Sequence, residues 1–187
     1  MEVGVLALQG DFEEHISVLG KLGVESVEVR NKTDLDNVDG LIIPGGESTT
    51  ISKLLIRYGL FDEIVERNKK GMSIYGTCAG AIVLAKEVIE NNLKTLGLVD
   101  ISIKRNDYGR QIDSFEAKLK IKNIGQVNGI FIRAPVVKKL NNEIEVLSEY
   151  KGDVVALRDG NILITTFHPE LSEDYSVHRY FVDMIKG

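Results

Sequence analysis

The chain has 187 residues, a length that suits one domain, since single cores stop growing near roughly 250–300 residues. Its net charge is −5 and no Lys/Arg block stands out, which argues against nucleic acid or an anionic membrane, both bound through clustered positive charge. A single cysteine excludes an internal disulfide, no apolar run approaches the ~18–20 residues that span a bilayer, and "MEVGVLALQGDFEEH" lacks a signal peptide's basic region, so a cytoplasmic setting is expected.

"VGVLAL" (3–8) is a nearly continuous apolar run, as in a strand buried on both faces of a parallel sheet. "DFEEHISVLGKLG" follows as a helix. Phe12, Ile16, Leu19 and Leu22 recur at helical spacing, Asp11 with Glu14 forms a capping pair, and Gly23 ends the helix. "SVEVR" (26–30) and "GLIIPGG" (40–46) read as the second and third strands. Ile51, Leu54, Leu55 and Tyr58 then share one helical face, with Gly59 as the stop. "FDEIVERNKKG" predicts another helix, "MSIYG" (72–76) a strand, and "AGAIVLAKE" a helix. Beyond Asn91 the pattern changes. "DSFEAKLKIK", "NGIFIRAP", "EIEVLSEY", "DVVALRDG" and "NILITTFHPE" alternate apolar and polar residues, and "DYSVHRYFVDMIKG" closes as a helix with Val177, Tyr180, Phe181 and Met184 inward. The expected fold is α/β: a three-layer, doubly wound, mostly parallel sheet with flanking helices and additional antiparallel strands, in one domain spanning 1–187.

Cys78 falls on the turn between "MSIYG" and "AGAIVLAKE", flanked by Gly76 and Gly80. This resembles a nucleophile elbow with Cys in place of Ser. There the start of the following helix favours thiolate over thiol, and the Ala79 N–H is aimed where an oxyanion would form. A lone cysteine is also, commonly, an inert buried side chain. Of the three histidines, His15 and His178 read as surface or boundary residues, and neither has metal-ligand spacing, so no metal site is expected. His168 differs, because "TTFHPE" ends a strand and Pro169 favours an extended His168. Residues i and i+2 of an extended segment point the same way, so Glu170 can reach the imidazole as the third member of a nucleophile–base–orienter set. "PGGES" (44–48) lies at the same sheet edge, where open α/β folds bind ligands. Gly46 N–H could be a second oxyanion donor there, and Ser48 could cap the following helix.

With these residues in view, "GTCAGA", "FHPE" and "PGGES" resemble the class I (triad) glutamine amidotransferases. "ALQGDFEEHI", "PGGESTTISKLL", "RNDYGRQIDSFE", "FIRAP" and "FHPELSED" narrow the resemblance to the glutaminase subunits of pyridoxal 5'-phosphate synthases, over nearly the whole chain. That resemblance implies hydrolysis of glutamine to glutamate and ammonia without a cofactor. Cys78 would be the nucleophile, His168 the general base and acid, and Glu170 its orienter. Gly46, Glu47, Ser48, Arg105, Ile132 and Arg133 would line the glutamine site, with Gly46 and Ala79 forming the oxyanion hole. Taken alone, either arginine reads as a solvated surface charge, so these two assignments rest on the resemblance. The resemblance further implies a (βα)8-barrel synthase subunit as partner, and the loop after Gln9 with the helix bearing His15 is the expected contact surface. Two other readings stay open: a glutaminase feeding another synthase, such as the one making imidazole glycerol phosphate, and a non-catalytic thiol sensor on the same sheet.

Overall fold

The computed structural model describes residues 1–89, 92–105 and 114–187. The "RNDYGRQIDSFE" block therefore lies mostly outside the described residues, with Arg105 at its near edge.

Five strands form the parallel heart of the main sheet: β1 (Glu2–Leu6), β2 (Glu25–Val29), β3 (Gly40–Ile43), β4 (Ser73–Thr77) and β12 (Ile162–Thr165). Two antiparallel strands, β11 (Asp153–Asp159) and β10 (Glu145–Tyr150), extend it, giving the order β10-β11-β12-β4-β3-β1-β2. Alternate residues of the central strands enter opposite cores, which is why β1 and β3 read as nearly continuous apolar runs. Leu41, Ile43, Ile74, Ile162 and Ile164 pack into one core, whereas Val3, Val5, Ile42, Tyr75 and Leu163 pack into the other.

The first core is covered by α2 (Ser48–Arg57), α3 (Leu60–Lys69) and α4 (Ala79–Leu84), together with a small sheet of β5 (Ala85–Val88), β6 (Val99–Lys104) and β9 (Val136–Leu140). The second is covered by α1 (Phe12–Lys21), α5 (Ser176–Lys186) and the hairpin β7 (Ser114–Ile121) with β8 (Gly125–Ile132). The three-layer, mostly parallel architecture with added antiparallel strands is thus as expected.

Three local expectations are corrected. The helix after Cys78 stops at Leu84, because Ala85 turns extended (φ −63°, ψ 149°) and opens β5. Asp11 starts α1 but makes no capping hydrogen bond; its carboxylate faces the sheet edge instead. The α2 cap is Glu47, whose carboxylate accepts from Thr49 N and Thr50 N, while Ser48 is the first helical residue and is buried.

The order β2-β1-β3-β4-β12 reverses direction between β1 and β3. At such a switch point the loops leaving neighbouring strands part and leave a crevice.

Candidate active site

Four strand ends meet at this crevice, and their glycines explain how closely. A β-carbon on Gly10, after β1, would stand within bonding range of the Gly45 carbonyl oxygen, so the loops after β1 and β3 lie backbone to backbone. One on Gly45 would meet His168 Cε1 at 2.5 Å, and one on Gly46 (φ +147°) would meet Gln9 Oε1 at 2.6 Å. The paired glycines of "PGGES" make room for the imidazole and for Gln9, which accepts a hydrogen bond from Glu47 N at 2.7 Å.

Cys78 sits on the turn from β4 into α4 with φ 46° and ψ −101°, a conformation costing a side-chain-bearing residue about 1–3 kcal/mol. The turn is pinned by Cys78 N donating to Thr165 O at 2.9 Å, and Sγ lies 3.8 Å from the Ile132 carbonyl oxygen. Although only 7% exposed, Cys78 lines a cavity of about 390 Å³. Gly46, Glu47, Ser48, Ala79, Arg105, Ile132, Arg133 and His168 line it as well, so all the sequence-named site residues except Glu170 face one space. Asp11, Ile82 and Leu171 complete the wall, with Leu171 and Ile132 exposed at the rim. A larger depression of about 700 Å³ lies over the small sheet, beside Lys86, Asp100 and Asn141; its lining includes Ser102, whose hydroxyl donates to the Glu87 carboxylate, but among the described residues no histidine or cysteine borders it.

Glu170 stands behind the cavity, fully enclosed. Its Oε1 takes His168 Nδ1 at 2.6 Å. The contact is made by a 3-10 turn over Pro169–Leu171, not by strand alternation, so the expected pair forms for a different geometric reason. Burial alone would lower the His168 imidazole, but its hydrogen bonds to Cys78 and Glu170 outweigh that and raise it to about 10. Burial pushes the Glu170 carboxyl upward, and the facing imidazole pulls against it. Asp11 Oδ2 lies 3.5 Å from the same Nδ1. Asp11, His168 and Glu170 are the one set of ligand-type atoms among the described residues converging within 4.8 Å, and a cation there would take Nδ1 from Glu170. Arg105 donates from Nη2 to Glu47 Oε1 at 3.0 Å and from Nη1 to Thr49 Oγ1 at 3.2 Å, which holds its guanidinium at the cavity wall.

His15 and His178 are not surface residues. Both are fully buried and in contact with each other, so His15 is not available to a partner, and α1 exposes Glu13, Glu14 and Ser17 instead. A histidine on an amphipathic helix gives no sequence signal of whether it meets solvent or another buried imidazole.

A thiol on a strained strand–helix turn, beside an imidazole backed by a carboxylate, is an arrangement suited to nucleophilic attack on a carbonyl carbon. The chain belongs to the SNO glutamine amidotransferase family, which matches residues 5–187. It is 53% identical to "Pyridoxal 5'-phosphate synthase subunit PdxT" of Dehalococcoides mccartyi, across 100% of this chain and 98% of that one. It is 47% identical to the protein of the same name from Thermoplasma volcanium, across 100% of this chain and 96% of the relative. A solved structure described as "Crystal structure of glutamine amidotransferase" superposes with a TM-score of 0.96 at 47% identity, covering 99% of both chains. Among the described residues no helix is long and apolar enough to cross a membrane.

Proposed function

We propose that this chain, acting as one glutaminase domain, hydrolyses L-glutamine to L-glutamate and ammonia and delivers the ammonia to a (βα)8-barrel synthase subunit for pyridoxal 5'-phosphate synthesis. The observation that carries the reading is the His168–Glu170 contact of 2.6 Å beside Cys78, in a chain whose full-length relatives bear that synthase's name. The exposed apolar side chains Leu171 and Ile132 at the cavity mouth support a partner seated over it.

In this reading the Cys78 sulfur attacks the side-chain amide carbon of glutamine, and the Ala79 and Gly46 N–H groups hold the oxyanion. An imidazole with a pKa near 10 carries its proton at neutral pH, so His168 is ready to protonate the departing ammonia. Once the γ-glutamyl thioester has formed, the sulfur no longer bears charge and part of what raised His168 is gone. The imidazole can then take a proton from water, whose oxygen attacks the thioester carbon and releases glutamate. Glu170 keeps the ring oriented through both steps. Arg105 and Arg133 face the α-carboxylate of glutamine, for which a planar guanidinium is suited.

The test is ammonia release from glutamine with and without the barrel synthase. Release stimulated by the partner, and lost in Cys78→Ala while glutamine still binds, is the expected result. Appreciable turnover by Cys78→Ala would overturn the assignment of the nucleophile.

A further inference from the structure

The chemistry above leaves two buried imidazoles without a task. His15 of α1 and His178 of α5 are both fully enclosed, and His15 Nδ1 lies 2.9 Å from His178 Nε2. On the other side of the ring, His15 Nε2 is 3.3 Å from Thr77 Oγ1, on the residue just before Cys78. The same nitrogen is 3.7 Å from Glu170 Oε1, the oxygen that holds His168. Tyr75 meets both imidazoles edge-on, with ring centroids 6.2 Å from His15 and 5.8 Å from His178. Burial holds both rings neutral. It lowers His178 to about 3, and it lowers His15 well below the usual range, with the neighbouring His178 and His168 acting in the same direction.

Two neutral imidazoles can share a hydrogen between these nitrogens in only two senses. If His15 Nδ1 donated, His178 would carry its own hydrogen on Nδ1, which is buried with no acceptor among the described residues. His15 would then also turn a bare lone pair toward the Glu170 carboxylate. If His178 Nε2 donates, the unpartnered Nδ1 of His178 is only a lone pair, and His15 carries its hydrogen on Nε2. Buried orphan donors are rarer than under-satisfied acceptors, and an N–H facing a carboxylate is attractive where a lone pair is repelled. The second sense prevails.

We propose that His15, held by His178 with its hydrogen on Nε2, is a positioning residue that presents a fixed N–H dipole to Glu170 and thereby fixes the His168 imidazole beside Cys78. The role matters because Glu170 is deeply buried and its Oε2 has no hydrogen-bond partner among the described residues, so few groups offset the loss of water around the carboxylate. At 3.7 Å the contact with Oε1 is electrostatic and not a hydrogen bond. Thr77 Oγ1, closer to the same nitrogen, fixes the ring plane. The inference rests on Glu170 being the orienter of His168.

Two measurements on the full-length chain test it. Nitrogen-15 NMR of histidine-labelled wild-type protein at pH 7 is expected to show His15 and His178 both neutral with hydrogen on Nε2. Hydrogen on His15 Nδ1, or a charged His15, overturns the proposal, and this measurement needs neither turnover nor a variant that folds. Ammonia release in the presence of the synthase then compares His15→Phe, which keeps a ring but no N–H, with His15→Gln, whose amide can place an N–H near the Nε2 position. His15→Phe is expected to lower kcat roughly tenfold or more, with KM for glutamine within about twofold, and His15→Gln to recover most of the loss. A His15→Phe variant that folds and keeps wild-type kcat refutes the positioning role. If the wild-type chain releases no ammonia at all while the tautomers are as expected, the glutaminase reading fails and the buried arrangement stands.

Discussion

Gly80 and Ile43 are in backbone contact: a β-carbon on Gly80 would overlap the Ile43 carbonyl oxygen. The first turn of α4 therefore rests directly on the end of β3. On the other side of the thiol, a β-carbon on Gly76 would meet Leu84 Cδ1 at 2.5 Å and the Gly80 carbonyl carbon at 2.9 Å. The two glycines flanking Cys78 let strand, turn and helix close onto each other, and that closure holds the sulfur at the cavity.

Gly80→Ala should accordingly be costly. The nearest obstacles are the main-chain carbonyl of Ile43 and, at 3.2 Å, its Cγ2, neither of them the end of a flexible side chain, so α4 must lift away from β3. A destabilisation of about 1–3 kcal/mol is expected in urea unfolding, with slower labelling of Cys78 by a glutamine-like alkylating analogue. Unchanged stability and unchanged labelling would show that the contact does not set the turn.

Glu170→Gln separates charge from shape. The amide oxygen can still accept from His168 Nδ1, but the negative charge that raises the imidazole is gone. A fall in kcat of about 10²-fold or more is expected, with KM little changed because Glu170 does not line the cavity. Because a buried imidazolium then loses its carboxylate partner, thermal stability at neutral pH should fall as well. Wild-type kinetics in this variant would remove Glu170 from the mechanism.

The buried histidines also set a pH dependence. His178 titrates near 3 in the folded chain and near 6.5 when unfolded, so between those values the unfolded state binds more protons. Stability from this group is therefore fully present above about pH 6.5 and drains away as pH falls toward 3, by up to about 1.4 kcal/mol per pH unit. His15, lowered in the same way, adds in the same direction. His168 is raised, so its contribution is present below about pH 6.5 and is lost as pH rises through 10. Near pH 5.5 it is largely protonated in both states and contributes little slope. Urea unfolding of wild type and His178→Phe between pH 5 and 6.5 should give a shallower pH slope for the variant. Coincident slopes would mean that folded His178 is charged.

What could be read before the structure followed from where sequence carries local constraint. The apolar runs of β1 and β3, the short strand before Cys78 and the glycine-bounded helices announce a parallel, doubly wound sheet. Because ligands gather at the carboxyl edge of such a sheet, Cys78, His168 and the 44–48 turn could be placed together from their positions at strand ends alone. Arg105, Arg133 and Ile132 could not; each occupies a loop or strand end whose approach to the cavity is set by long-range packing. The same limit hid the small sheet. Alanine- and valine-rich residues 81–88 satisfy helix and strand patterns alike, and pairing with β6 decides for strand from Ala85. Glu47 took the capping role expected of Ser48, because its longer side chain reaches both Thr49 N and Thr50 N from an extended backbone. His15 and His178 lie 163 residues apart, and only the packing of α1 and α5 on one face of the sheet brings their rings together.

In the proposed mechanism Arg105 has two tasks, which one substitution can separate. Its guanidinium lies on the Glu47 carboxylate at 3.0 Å and on Thr49 Oγ1 at 3.2 Å, at the start of α2. Slight burial works upward on Glu47, but the hydrogen bonds from Thr50 and Thr49 outweigh it and hold the carboxyl down at about 2, so Glu47 is charged throughout the working range. Both partners are about a third or more exposed, so the pair itself contributes at most about 1 kcal/mol to folding. A carboxylate arriving from substrate would meet an arginine already oriented by Glu47 and Thr49. Arg105→Ala is therefore expected to change urea-unfolding stability by less than about 1 kcal/mol. It should raise KM for glutamine roughly tenfold or more, because a charged hydrogen bond common to ground and transition states is lost, and leave kcat nearly unchanged. Steady-state ammonia release with the synthase present, beside urea melts, checks both halves. A drop in stability with KM unchanged would make Arg105 a support of the α2 cap and take it out of the substrate site.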